Sequence, residues 1–252
     1  MQKIKQLYRK NYQGEDVVVD RVYQNAKWNP TTEFVANPFP EQPLSDRALV
    51  IGNGTSRLDF NLKLILEHKI GNFQWAPAWH PRKFFTYGCN ALFRDFKTDF
   101  LILTGDDDFI TDVAHSGECE SRIVYAPNSA LLDHPGKFNY VPQSPSWNSG
   151  AIAAYMAAFD GHKKVYLMGF DGNDTPNYNY NVYADTQHYA SRSSTILEDF
   201  WVQSLAAVLS AYPDVEFVRV APAATFRTPE LWKYFLNFKT ISFGQFVLEA
   251  DV

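Results

Sequence analysis

The chain has 252 residues and a mass of 28.8 kDa, and 46% of its residues are hydrophobic, enough to bury a substantial core in one domain. A formal net charge of −5 and a pI near 5.7 supply no global attraction for nucleic acid or an anionic membrane. The two cysteines, Cys89 and Cys119, lack metal-site spacing and disulfide density, and no apolar run reaches membrane-spanning or signal-peptide length, so the expectation is a cytoplasmic protein with no membrane span and no nucleic-acid partner.

Residues 1–45, with "WNPTTEFVANPFPEQP", are rich in proline and aromatics and read as an extended arm packed on the domain. Apolar runs bounded by turn residues follow at 48–53, 84–88, 99–105, 122–127, 163–172 and 215–222, the pattern of strands buried on both faces. Between them, "RLDFNLKLILEHKI", "GAIAAYMAAFDGH" and "STILEDFWVQSLAAVLSAY" have helical spacing. Strands alternating with helices predict an α/β fold over 46–222: a doubly wound, Rossmann-like domain with a mostly parallel sheet. The aromatic tail, 223–252, reads as a short helix plus an edge strand packed on that domain.

In an open α/β sheet, ligands bind beyond the carboxyl ends of the strands, so the residues just after each apolar run form one candidate site. The first is "GNGTS", where Gly52 and Gly54 permit a sharp turn and close ligand approach, and Asn53 offers an amide suited to a base or sugar hydroxyl. Ser56 lies where a helix would begin, with free N–H groups for an anion. The turn is neither a dinucleotide fingerprint nor a P-loop; a plain tight turn is the competing reading. Asn90 follows the next strand.

In "TGDDDF", Asp106 and Asp108 either hold a magnesium ion against a diphosphate or form an acidic cap on the next helix. Ser149 and Gly150 in "SWNSG" begin a helix of small residues, where a phosphate would fit the positive end of the dipole. Asp171 in "GFDGND" follows an apolar strand and is either a ligand contact or a structural aspartate. The polar segment 177–194, "NYNYNVYADTQHYASRSS", lacks apolar periodicity, and long loops of this kind carry function more often than not. There His188 is a candidate general base, while Tyr183, Tyr189 and Arg192 can donate to a departing phosphate. The other histidines have no partner legible in the sequence.

The order "ALVIGNGTSRLD", "TYGCNALFRDF", "NSGAIAAYMAAFDGHKKVYLMGFDG" resembles the bacterial lipooligosaccharide sialyltransferases that use CMP-sialic acid, and their distant relatives in the MptE-like group, which includes a hydroxymethyldihydropterin pyrophosphokinase and flagellin-glycosylation proteins. The resemblance covers roughly residues 47–194. It implies donor contacts at Asn53, Asn90 and Ser149 with Gly150, and a nucleotide in the glycine turn. It departs at "HYASR", which puts Arg192 where the family has its catalytic histidine, and at "FDGND", which lacks an expected aromatic. What the resemblance implies is transfer of a sugar from a nucleotide-activated, CMP-linked donor to a hydroxyl acceptor, with magnesium dispensable. The alternatives are a pyrophosphokinase using ATP and magnesium held by "GDDD", and a nucleotide-binding protein without chemistry.

Overall fold

The computed structural model describes residues 2–6, 19–24, 27–30, 46–68, 84–134, 136–141, 145–171, 181–189 and 198–252. The amino-terminal segment, expected as an extended arm, forms a three-stranded antiparallel sheet from β1 (Gln2–Gln6), β2 (Val19–Gln24) and β3 (Lys27–Pro30). Strand pairing satisfies backbone groups that a solitary arm would leave to solvent.

The remainder is an α/β unit. Its elements are β4 (Arg47–Ile51), α1 (Lys63–His68), β5 (Phe85–Cys89), β6 (Phe100–Ile102), α2 (Asp107–His115), α3 (Glu118–Ser121), β7 (Ile123–Ala126), α4 (Asn128–Asp133), β8 (Asn139–Tyr140), α5 (Ser149–Phe159), β9 (Lys164–Met168), α6 (Glu198–Ala211), β10 (Glu216–Ala221), β11 (Phe238–Ser242) and α7 (Phe243–Ala250). The eight strands from β4 onward form one sheet in the order β11-β10-β9-β4-β5-β6-β7-β8, with every neighbouring pair parallel. The expected Rossmann-like arrangement is therefore present. The chain runs outward from β4 to β8 and returns through α5 to β9 on the other side of β4, so the strand order reverses between β4 and β9. That reversal opens a crevice at the carboxyl ends of these two strands.

The strands are apolar on both faces because both faces are covered. α5 is buried at nearly every position; its alanines 151, 153, 154, 157 and 158 let it lie close between the sheet and α6. On the opposite face, Phe246 of α7 packs edge-on against Tyr166 of β9, with ring centroids 5.0 Å apart.

Two expectations need correction. "RLDFNLKLILEHKI" is not one helix: a 3-10 helix, Thr55–Asp59, ends where Phe60 turns extended, and α1 starts at Lys63. Phe60 is buried against Phe243 and Phe246, at 5.3 and 5.7 Å; burying that ring outweighs continuing the helix, since a large side chain gains about 1.5–3 kcal/mol on leaving water. The tail also supplies more than a short helix and an edge strand. A 3-10 helix, Glu230–Tyr234, precedes the parallel edge strand β11, and α7 follows with a Ser242–Gln245 capping box.

Candidate functional site

The glycine turn after β4 and the turn after β9 meet back to back. Ile51 and Met168 are register partners, so the next residues of both strands turn at the same level. Gly52 N–H donates to the Met168 carbonyl at 2.8 Å and Gly54 N–H to the Gly169 carbonyl at 2.9 Å. A Cβ on Gly52 would stand 2.6 Å from the Gly169 oxygen, and one on Gly54 would stand 2.6 Å from the Asp171 carboxyl group. Both glycines are thus required by the approach of the two backbones to each other. The expected free amides are occupied as well: Ser56 N–H donates to Asp171 at 2.8 Å, and Arg57 N–H to the Gly54 carbonyl.

Asp171 and Ser56, expected at the ligand, bond each other. The Ser56 hydroxyl also donates to the Asp171 carboxylate, with both residues buried. Burial holds the Asp171 carboxyl above its ordinary range, against the opposing effect of the two Ser56 bonds. A raised carboxyl binds its proton more tightly folded than unfolded. Its contribution to stability is therefore full below the ordinary carboxyl range and is lost as pH rises through the folded value. Asp171→Asn has no such loss. In denaturant unfolding, the stability of the variant relative to the natural protein is expected to improve between pH values of about 4 and about 7; a relative stability that falls over that interval would contradict the assignment.

Beyond these turns lies a cavity of about 430 Å³. The end of β4 contributes Gly52 and Asn53, that of β5 Cys89 and Asn90, and that of β6 Thr104. The start of α5 brings Trp147, Asn148, Ser149 and Gly150; the turn after β9 brings Gly169, Phe170 and Asp171. Asn181, Tyr189, Phe200 and Trp201 close the wall. Seven of the expected residues (Gly52, Asn53, Asn90, Ser149, Gly150, Asp171 and Tyr189) therefore meet at one cavity.

Local structure fixes each of these groups. Asn90 has a left-handed backbone, φ 46°, which asparagine tolerates better than most residues; its Oδ1 accepts from Thr104 N–H at 2.8 Å, tying the ends of β5 and β6 together. Tyr189 places its hydroxyl oxygen 3.3 Å from the Ala91 N–H that donates to it. Asn148 caps α5, its Oδ1 accepting from Ala151 N–H at 3.0 Å, while its Nδ2 and the Trp201 Nε1 are buried without a partner among the described residues. The amides of Ser149 and Gly150, in the first turn of an eleven-residue helix, have no intrahelical acceptor and present the positive end of the dipole. The Cys89 thiol donates to the Ile51 carbonyl and to Asn53 Oδ1, each at 3.7 Å, and burial pushes it up to about 11, so it is no nucleophile near neutral pH.

The other expected residues stand elsewhere. Tyr183 does not border the cavity. Its hydroxyl donates to Asp95 at 2.6 Å and accepts from Arg57 at 2.8 Å, and Arg57 reaches the same Asp95 oxygen at 3.0 Å. His188 lies against α2, its Nε2 2.7 Å from Asp112 and its ring edge-on to Phe109. Asp106 is the cap of α2, its Oδ1 accepting from Phe109 N–H at 2.9 Å, and Asp108 is exposed in the first turn of that helix. Among the described residues no group of three or more His, Cys, Asp or Glu side chains gathers as metal ligands would. Arg192 falls outside the described residues. No helix among them is long and apolar enough to cross a membrane.

Several wall residues escape sequence reasoning. Trp147, Phe170, Phe200 and Trp201 look like core aromatics, and only the spatial order of the strands brings them to one crevice. Arg57 escapes because nothing in "SRLD" marks it as buried, yet it is 1% exposed. No known protein-family model, curated protein or solved structure matches the chain.

Proposed function

We propose that the cavity binds a nucleotide-activated sugar, CMP-linked, and that the protein is a glycosyltransferase passing the sugar to a hydroxyl acceptor. The observation that carries this reading is the convergence of Asn53, Asn90 and the Ser149–Gly150 helix start on one aromatic-walled cavity at the reversal of strand order. Aromatic walls suit stacking on a planar base, side-chain amides suit its polar edge, and the α5 terminus suits a phosphate. Among the described residues the cavity wall has no lysine or arginine, which favours one phosphate over the two or three that basic side chains usually accompany. In the transfer, a bond forms between the acceptor oxygen and the anomeric carbon. The bond from that carbon to the phosphate oxygen breaks, its electron pair leaves with the phosphate, and the hydroxyl proton passes to a base.

The α5 dipole and the Ser149 and Gly150 amides would stabilise the departing phosphate. A cytoplasmic location belongs to this reading, and the two free thiols fit it. Incubation of the protein with a CMP-sugar and a hydroxyl acceptor is expected to release CMP in proportion to product, without magnesium. An absolute magnesium requirement with ATP as the only nucleotide consumed would overturn the reading in favour of pyrophosphoryl transfer. The positions of Tyr183 and His188, each bonded to an acid away from the cavity wall, favour a second reading, a nucleotide-binding protein without transfer. Binding of CMP with no turnover of any CMP-sugar would select it.

A further inference from the structure

A second, open groove of about 740 Å³ runs beside the glycine turn. It shares a wall with the cavity: Val182, which borders the groove, donates its N–H at 2.6 Å to the carbonyl of Asn53, which borders the cavity. Phe60, Leu58 and Leu62 give the groove apolar surface, and Leu58 is exposed. Its charges balance, with Arg57 and Lys63 against Asp59 and Asp95.

At one side stands a carboxylate held from behind. Asp95 receives both the Tyr183 hydroxyl and the Arg57 guanidinium on Oδ2, while its side chain remains 44% exposed and Oδ1 has no protein donor among the described residues. Arg57 is almost wholly buried and so holds the carboxylate from beneath, while the exposed Asn61 and Lys63 supply donors that a groove ligand can reach. Paired donors and acceptors above apolar surface, with no net charge, complement a pyranose, which presents C–H faces and hydroxyls that both donate and accept. An anion would meet Asp59 and Asp95, and a cation would meet Lys63 above the buried charge of Arg57.

We infer that this groove binds the hydroxyl-rich acceptor, a pyranose, with Asp95 Oδ1 accepting from its hydroxyls and Tyr183 and Arg57 acting as positioning residues. The acceptor role rests on the transferase reading; carbohydrate binding in the groove does not. The test is saturation-transfer NMR on the full chain with the methyl glycosides of glucose, galactose and mannose, run without nucleotide. At least one glycoside is expected to take saturation, and its affinity to fall about tenfold in Asp95→Asn, as loss of a hydrogen bond to a charged group does. Lys63→Ala, an exposed position on the rim, is expected to weaken the same glycoside and serves if Asp95→Asn does not fold. No saturation of any glycoside, or saturation undiminished in both variants, would overturn the groove. CMP binding measured on the same samples separates the two ideas: CMP bound with no glycoside in the groove overturns the acceptor site alone.

Discussion

Gly169→Ala is expected to destabilise the folded protein by about 2–5 kcal/mol, the largest effect of any single methyl group considered. Two causes add. The residue has φ +72°, a left-handed conformation costing an L side chain about 1–2 kcal/mol. The new Cβ would also stand 2.8 Å from the Gly52 carbonyl oxygen and 3.3 Å from the Gly54 nitrogen, in a turn that the Gly52 and Gly54 N–H bonds hold in place. Overpacking against backbone that cannot yield costs about 1–3 kcal/mol more. Gly117 separates the causes: it has φ +82° but nothing within 4 Å of a Cβ, so Gly117→Ala should show the conformational cost of about 1–2 kcal/mol alone. Urea unfolding of both variants measures the difference. Equal losses at the two sites would mean that the contact between the turns does not constrain them.

Gly150→Leu should act on binding and spare the fold. A Cβ there meets Asn148 Oδ1 at 3.3 Å and Phe170 at 3.5 Å, contacts that can relax by a few tenths of an ångström. Leucine also favours a helix over glycine by roughly 0.8 kcal/mol. Its longer side chain would extend past Phe170 at the wall of the cavity and occupy the place assigned to the phosphate and ribose. Affinity for a cytidine nucleotide should fall about 100-fold, equivalent to about 2.8 kcal/mol, while the melting temperature of the free protein stays level or rises. Calorimetric titration of the natural protein and the variant reads this, with Gly150→Ala as the milder comparison. Unchanged affinity in Gly150→Leu would move the ligand out of the cavity.

The alternation of strand and helix was readable because the strands of a sheet covered on both faces must be continuously apolar, and "ALVI" and "VYLMGF" are. The meeting of strand-end residues at one cavity followed from the same pattern, since the polar residues after each run necessarily share one edge of a parallel sheet. What each residue does at that edge was less legible. Gly52 and Gly54 carry the spacing of a ligand-binding turn, but their partner is the turn at Gly169, and no local pattern records which distant strand lies alongside. Asp171 and Ser56 are 115 positions apart and bond each other for the same reason.

Tyr183 and His188 lie in a loop whose composition suggests chemistry. Their contacts with Asp95 and Asp112 depend on how that loop folds over the 3-10 helix after β5 (Asn90–Arg94) and over α2. Arg57 is the converse case. An arginine beside an exposed leucine reads as surface, and only the structure puts Tyr183 and Asp95 around its guanidinium. The break at Phe60 came from the tail, whose Phe243 and Phe246 draw that ring out of the expected helix.

The most direct test of the cavity assignment is a thermal-shift panel of CMP, CDP, UDP, GDP, ADP and ATP, each with and without magnesium, on the natural protein and on Asn53→Ala. A ligand that binds only the folded state raises the melting temperature, by about 2.7 kcal/mol of added stability at a hundred times its dissociation constant. CMP should stabilise the natural protein without metal, more than the other nucleotides do, and should lose most of that effect in Asn53→Ala. Stabilisation by ATP with magnesium alone, or by none of the six, would contradict it.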